Sequence, residues 1–250
     1  MALSAVAAYG GDVPRLYTPS ALLLRWYARQ ARPLPWRRTT DGYAILVSEM
    51  MAQQTQIARV LPAYARFLDR FPTLAVLARA SLGDVLREWS GLGYNRRARD
   101  LHRIARSHPG GLPRTVAELD ALPGVGAYTA GAVACFAHGD PVAFADTNIR
   151  RVLGRVFLGR VASEREAVRL DQAHLSRRAP ARWHSALMDL GATICTARAP
   201  RCDACPFRAR CRFLRSSARP VPALKAPVGG YDSSDRRVRG RIVALLAAAP

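Results

Sequence analysis

Four of the five cysteines stand within 17 residues, in "CTARAPRCDACPFRARC" over 195–211, spaced C-x6-C-x2-C-x5-C. Thiolates ligate soft or borderline metals, and four of them suit either tetrahedral zinc or a [4Fe–4S] cluster. Zinc ribbons usually present two C-x2-C knuckles about 15–20 residues apart. Here a single knuckle, Cys202 and Cys205, is flanked by Cys195 and Cys211, and Pro206 follows it as in iron–sulfur runs. The compact loop favours the cluster, with zinc as the alternative. Cys135, in the apolar "AGAVACFA", reads as a core residue.

Two carboxyls stand out in other segments. Glu49 lies in "AILVSEMMA", where burial would raise its pKa and keep it a proton donor near neutrality, unless an arginine pairs with it. Asp146, in "VAFADTNIRRVL", follows an extended apolar run and precedes a helical one, which makes it an N-cap. Hydrogen bonds from helix N–H groups would hold such a carboxylate ionised.

Strand signals are scarce, and caps followed by apolar 3.6-residue periods recur, so the pattern predicts an all-α chain. Ser20 opens a helix that stops before Pro33. A second runs from about Tyr43 to Leu61, where Pro62 interrupts it. Shorter helices are expected at 73–80, 82–90, 95–107 and 115–121, the last opened by the capping box Thr115-Val-Ala-Glu118. A small-residue helix over 127–138 follows "LPGVG", and further helices are expected at 147–158, 164–178 and 181–195. Residues 1–17 read as a flexible arm. Residues 216–250 read as a Pro/Gly/Ser-rich linker and the start of a truncated C-terminal region.

The 250 residues carry 38 Lys plus Arg against 18 Asp plus Glu, a formal charge of +20, and Lys225 is the only lysine. Such an excess points to a polyanionic partner, with nucleic acid first. No apolar run reaches 18 residues, and the start lacks the charge pattern of a targeting segment, so no membrane association is expected. Crowded cysteines in odd number suit a reducing compartment, and the expected location is cytoplasmic, associated with the nucleoid through DNA.

In "LPGVGAYTAGAVACF", Gly124 and Gly126 permit a tight turn that exposes backbone N–H groups beside a helix N-terminus, a ready site for a phosphate oxygen. An αα-hairpin joint would also use Pro and Gly. Together with the basic chain and the cysteine loop, the motif resembles the helix-hairpin-helix DNA glycosylases. From about Leu22 to Leu214 the sequence is similar to their endonuclease III and adenine glycosylase (MutY) branch.

This resemblance implies two helical lobes with the active site in the cleft between them. Residues 18–37 plus 141–215 would form an iron–sulfur cluster domain. Residues 38–140 would form a six-helix barrel with the helix-hairpin-helix at about 115–137. One [4Fe–4S] cluster would be held by Cys195, Cys202, Cys205 and Cys211. The chain would be a monomer acting on double-stranded DNA that carries a mismatch or lesion. Glycosylase/lyases of the branch have a Schiff-base lysine where Tyr128 stands, and a phenol cannot form an imine, so a monofunctional enzyme is expected. "RPLPWRRTTDGYAILVSEMMAQQTQIARV" looks like the adenine glycosylase pattern. By that likeness Glu49 protonates the departing base and Asp146 stabilises the sugar cation, with Tyr128 and Asn148 supporting them. Trp36 and Arg37 match residues of the adenine pocket, and Gln54, between Gln53 and Thr55, matches a residue inserted into the base stack. The further DNA-facing set comprises Gly93, Tyr94, Asn95 and Arg96 of one loop; Leu122, Gly124, Val125, Gly126, Ala127 and Thr129 of the hairpin; and Arg150, Ser185, Arg198 and Arg201.

Three positions depart from the family pattern. Asn95 replaces a tyrosine wedge, Ala52 a common leucine, and Ser185 a Glu or Gln that touches the adenine. These changes enlarge or soften the base pocket; the first expectation, from the motif match, is a glycosylase removing adenine opposite 8-oxoguanine or guanine. A thymine or uracil mismatch glycosylase of the same fold and a catalytically silent DNA-binding protein are the alternatives.

Overall fold

A computed structural model describes residues 18–216 together with Val238, Gly240, Arg241, Ile242 and Leu245. The expected arm over 1–17, and nearly all of the linker and terminal segment, lie outside the described residues. Those residues contain α-helices and short 3-10 turns and no strand. The described residues divide into two compact units: a hairpin unit containing Leu34–His138, and a cysteine unit containing residues 18–33 and 139–216.

The hairpin unit is built on α2 (Gly42–Ala52), whose residues from Tyr43 to Met51 are buried except Glu49. Such a helix has no polar face, so others must wrap it. It packs against α3 (Ile57–Arg70), α6 (Arg96–Ser107) and α8 (Ala127–His138). The short α4 (Leu74–Arg79), α5 (Leu82–Glu88) and α7 (Val116–Asp120) complete the unit. α3 buries Val60, Ala63, Tyr64 and Phe67 along one stripe, and Phe67 meets Phe71 and Trp89 edge to face. Thr115 and Glu118 form the expected capping box on α7.

In the cysteine unit, α9 (Thr147–Leu158) packs against α10 (Glu164–His174), α11 (Pro180–Thr193) and α12 (Arg212–Arg215), and α1 (Pro19–Gln30) lies on α11. The buried Asp189 of α11 accepts from Arg32 Nε at 2.5 Å and Arg32 N at 3.0 Å, tying the segment after α1 to α11. Gly154 lets α9 meet the next loop closely: a Cβ there would lie 2.3 Å from Ala162 N.

Several boundaries differ from expectation. α1 starts one residue earlier, because Thr18 caps it and Pro19 takes the first turn, where a missing N–H costs nothing. The expected helix over 43–61 is two helices broken at 53–56, and Pro62 sits inside α3. α10 ends at His174 rather than 178, with Leu175 N bonded to Asp171 O. α8 and α9 span the expected residues.

Candidate active site

The candidate residues divide between the two units. In the hairpin unit, Glu49 is the one half-buried position in the otherwise buried stretch of α2 from Tyr43 to Met51. Below it, α2 ends in a tight polar loop. Gln53 Nε2 reaches Thr129 Oγ1 at 3.4 Å, and Gln54 is exposed with φ +55. Tyr94, at φ +50 and 52% exposed, is the other non-glycine residue in left-handed backbone among the described residues. Asn95 caps α6. Left-handed backbone costs a residue with a Cβ about 1–3 kcal/mol and persists only when its surroundings enforce it.

The enforcing group is Arg97, which is 7% exposed. Its Nη1 donates to the carbonyls of Met50 (2.7 Å), Met51 (2.9 Å) and Gln53 (2.5 Å). Its Nη2 donates to Thr55 Oγ1 (3.1 Å), Gly93 O (3.1 Å) and Leu92 O (3.4 Å). Both the Trp89 and Tyr94 rings lie within cation–π range of its guanidinium. A cation at the carbonyl end of α2 is electrostatically favourable, although burial lowers the Arg97 pKa. One side chain therefore closes both strained loops, and Arg96 beside it is exposed.

In the hairpin, Leu122 and Val125 are buried anchors, while Gly124, Gly126 and Ala127 are exposed at the start of α8. Gly124 has φ +74, and a Cβ there would sit 3.1 Å from Asp100 Oδ2. Tyr128 is half-buried and Thr129 buried on α8. Trp36 and Arg37 lie half-buried in a 3-10 turn, with Trp36 edge-on to Tyr64 at 5.2 Å.

In the cysteine unit, Asp146 caps α9 as expected. Its Oδ1 accepts from Ile149 N at 2.7 Å and its Oδ2 from Asn148 Nδ2 at 2.8 Å. Asn148 is fixed in turn, because Arg151 Nη2 donates to its Oδ1 at 2.7 Å. The Arg151 guanidinium also donates to Gly191 O at 2.8 Å and Cys195 O at 2.7 Å. These bonds run continuously from the first cysteine to the carboxylate. Gly191 is part of the packing: a Cβ there would lie 2.6 Å from Asn148 Cβ. Ser185 is buried on α11. Arg150 bonds Ala162 O through Nε (3.1 Å), and Arg201 bonds Thr193 O through Nε and Nη2, so both brace loops. Arg198 is exposed.

Cys195, Cys202, Cys205 and Cys211 line one apolar cavity together with Val152, Leu190 and Ile194. Arg155, 5% exposed, donates to the carbonyls of Thr196 (2.7 Å) and Ala197 (2.8 Å), and its Nη1 lies 3.6 Å from Cys195 Sγ. Burial pushes the Cys205 thiol up to about 12 and raises that of Cys211.

The sequence profile of the HhH-GPD superfamily of base excision DNA repair proteins matches residues 47–175. The adenine DNA glycosylase of Mycobacterium tuberculosis is 44% identical over 237 residues, covering 91% of this chain and 78% of its own. The chain belongs to the adenine DNA glycosylases of the HhH-GPD superfamily. Among solved structures, a thermostable thymine-DNA glycosylase superposes with a TM-score of 0.73 at 27% identity, over 78% of this chain and 94% of its own. An endonuclease III bound non-covalently to DNA superposes at 0.68 with 23% identity, over 78% and 93%. That second likeness gives the fold alone.

For an adenine DNA glycosylase, the residues that sequence reasoning missed are Arg97, Arg151 and Arg155. A signal was present for one of them. Arg97 shares a helical stripe with the buried Leu101 and Ile104, and an arginine in an apolar stripe must find carbonyls or carboxylates. The donor set around the cysteine cavity also fits an iron–sulfur group. Four sulfurs share an apolar pocket, and cationic Arg155 stands beside one of them to offset thiolate charge. Among the described residues no three metal-binding groups converge on a single ion site. No helix among those residues is long and apolar enough to cross a membrane.

Proposed function

We propose that this chain is a monofunctional glycosylase of base excision repair, hydrolysing the N-glycosidic bond of adenine opposite 8-oxoguanine or guanine in duplex DNA. Its relationship to the adenine DNA glycosylases carries the reading, and the two carboxyls supply the chemistry. The target adenine leaves the base stack at a cost of about a few kcal/mol, less at a mismatch. Glu49 gives its proton to a nitrogen of the leaving base as the bond to C1′ breaks. Asp146, held by acceptor bonds at both oxygens, faces the oxocarbenium-like sugar with negative charge. Water then adds to C1′ and yields its proton to the Glu49 carboxylate, leaving free adenine and an abasic site. Asn148 and Arg151 position Asp146. Tyr128 has no amine, so the strand stays intact until alkali is added.

Duplex binding draws on the exposed Gly124–Gly126 backbone, on Gln54 and Tyr94 as stacking or wedging side chains, and on Arg96 and Arg198. By likeness, Trp36 and Arg37 are the base-contacting candidates of the hairpin unit and Ser185 is that of the cysteine unit. Cys195, Cys202, Cys205 and Cys211 would hold one [4Fe–4S] cluster, which when bound pins the basic loop. Ala52 and Ser185, and the structural likeness to a thymine-DNA glycosylase, support thymine or uracil removal as the second reading.

The test is single-turnover base release from duplexes with A opposite 8-oxoguanine, A opposite G, T opposite G and U opposite G, each with and without alkali. Adenine release with breaks only after alkali is expected. Thymine or uracil release instead selects the second reading, and no release from any duplex refutes an enzymatic role.

A further inference from the structure

Asp171 and His184 are completely buried in the cysteine unit, and the chemistry described so far uses neither. Asp171, on α10, accepts at Oδ1 from Trp183 Nε1 (2.6 Å) and at Oδ2 from His184 Nε2 (2.8 Å), both on α11. Its Oδ2 also accepts from the backbone N–H of Phe144 (3.1 Å), in the extended segment before α9. The His184 ring lies flat on the Phe144 ring, with centroids 3.9 Å apart and planes 16° from parallel. His184 Nδ1 contacts Pro180 O at 3.0 Å. A carbonyl can only accept, so Nδ1 is placed to donate to it, while Nε2 meets the Asp171 carboxyl. Both nitrogens and the ring face are therefore committed, which fixes the imidazole in position and tilt.

Phe144 stands two residues before Asp146, and only Ala145 separates them. We infer that the Asp171–His184 pair is a positioning device for Asp146, acting through Phe144; the inference rests on the reading of Asp146 as the sugar-stabilising carboxylate. Asn148 orients the carboxylate from the helix side. On the entry side nothing in α9 can fix the approach of the chain, and there Phe144 is clamped by one backbone hydrogen bond and one ring stack. A buried pair of this kind is a poor source of stability, because desolvation offsets most of its attraction. What it provides is direction: two helices and one extended segment meet on a single carboxylate that takes contacts at both oxygens. A catalytic carboxylate misplaced by about 1 Å loses on the order of 10²-fold in rate.

Four variants of the full chain test this. Phe144→Leu keeps apolar bulk and removes the stack. His184→Phe keeps the stack and removes the donor to Asp171. His184→Gln retains an N–H that can reach Asp171. Asp146→Asn is the reference. Single-turnover adenine release, the dissociation constant for the same duplex and the melting temperature are measured on each. Phe144→Leu and His184→Phe should slow release ten- to hundredfold with duplex affinity within twofold, and His184→Gln should recover part of the rate lost in His184→Phe. If His184→Phe fails to fold, Phe144→Leu against His184→Gln carries the comparison. Folded Phe144→Leu and His184→Phe chains that release adenine within twofold of the parent rate overturn the inference, as does a rate loss matched by an equal loss of affinity. An Asp146→Asn chain as fast as the parent overturns the reading of Asp146 itself; an inactive Asp146→Asn beside a fully active His184→Phe overturns only the positioning role.

Discussion

Replacing Gly191 by alanine should separate catalysis from stability. The added Cβ would sit 2.6 Å from Asn148 Cβ, 3.1 Å from its Oδ1 and 3.2 Å from its Cα. Ordinary carbon contacts lie at about 3.5–4.0 Å, so Asn148 or the helix must move by about 1 Å. The blocked atoms are the root of the side chain, so a rotamer change cannot relieve them. Moving Asn148 stretches its 2.8 Å bond to Asp146 and its 2.7 Å bond from Arg151 together. A shift of that size at a reacting carboxylate costs about 10²-fold in rate, equivalent to about 2.7 kcal/mol of barrier. Stability should suffer less: overpacking costs about 1–3 kcal/mol, and alanine in place of glycine inside a helix returns about 1 kcal/mol. Single-turnover adenine release at saturating enzyme, with a thermal melt of the same preparation, reads both quantities. Asn148→Gly removes the obstructing Cβ, so adding Gly191→Ala to it should cost no further rate. A Gly191→Ala enzyme releasing adenine at the parent rate, or a further loss in the double variant, would refute the reasoning.

Arg97→Lys exchanges a planar fork serving six acceptors for a point charge, and should cost about 3 kcal/mol of stability by chemical denaturation, with weakened duplex binding as the 53–55 and 92–94 loops relax. Gly154→Ala brings a Cβ to 2.3 Å from Ala162 N and 2.5 Å from Arg160 O, both backbone atoms, and should lower stability by about 3 kcal/mol in the same assay. The hydrogen bond from Arg160, helped by those from Ser163, holds the Glu166 carboxyl at about 2, below its ordinary value. A depressed carboxyl supports the fold above its unfolded pKa and loses that support as pH falls through the folded value, so Glu166→Gln should flatten the melting profile between about pH 4 and pH 2. Duplex affinity should fall with salt with a log–log slope of roughly −0.9 per neutralised phosphate, and Arg198→Ala should reduce that slope by about one phosphate.

What the sequence made legible was local. Thr115 with Glu118 is read directly as a helix start, and Asp146 as a cap. The break between α2 and α3 was not legible, because Pro62 drew the boundary to itself. The chain actually turns at Gln53–Gln56, where the bonds come from Arg97, some 44 residues away in sequence. Tyr94 was named by likeness, but its left-handed backbone was not legible, because it depends on where the Arg97 guanidinium settles among its carbonyls. The extent to which Glu49 is covered also depends on neighbours that no local pattern reveals. Asn148 was found by likeness, whereas its dependence on Arg151 and Gly191 becomes visible only when α9 and α11 are packed together.

The arginines on α9 also join the two ends of that helix's surroundings. Arg151 and Arg155 clamp the carbonyls of Cys195, Thr196 and Ala197, three consecutive backbone groups at the head of the cysteine loop. Arg151 also holds Asn148, which holds Asp146. A displacement of the loop head would therefore be transmitted through one guanidinium to the carboxylate that starts α9, so a substitution at the head of the loop can be felt at Asp146 without touching it.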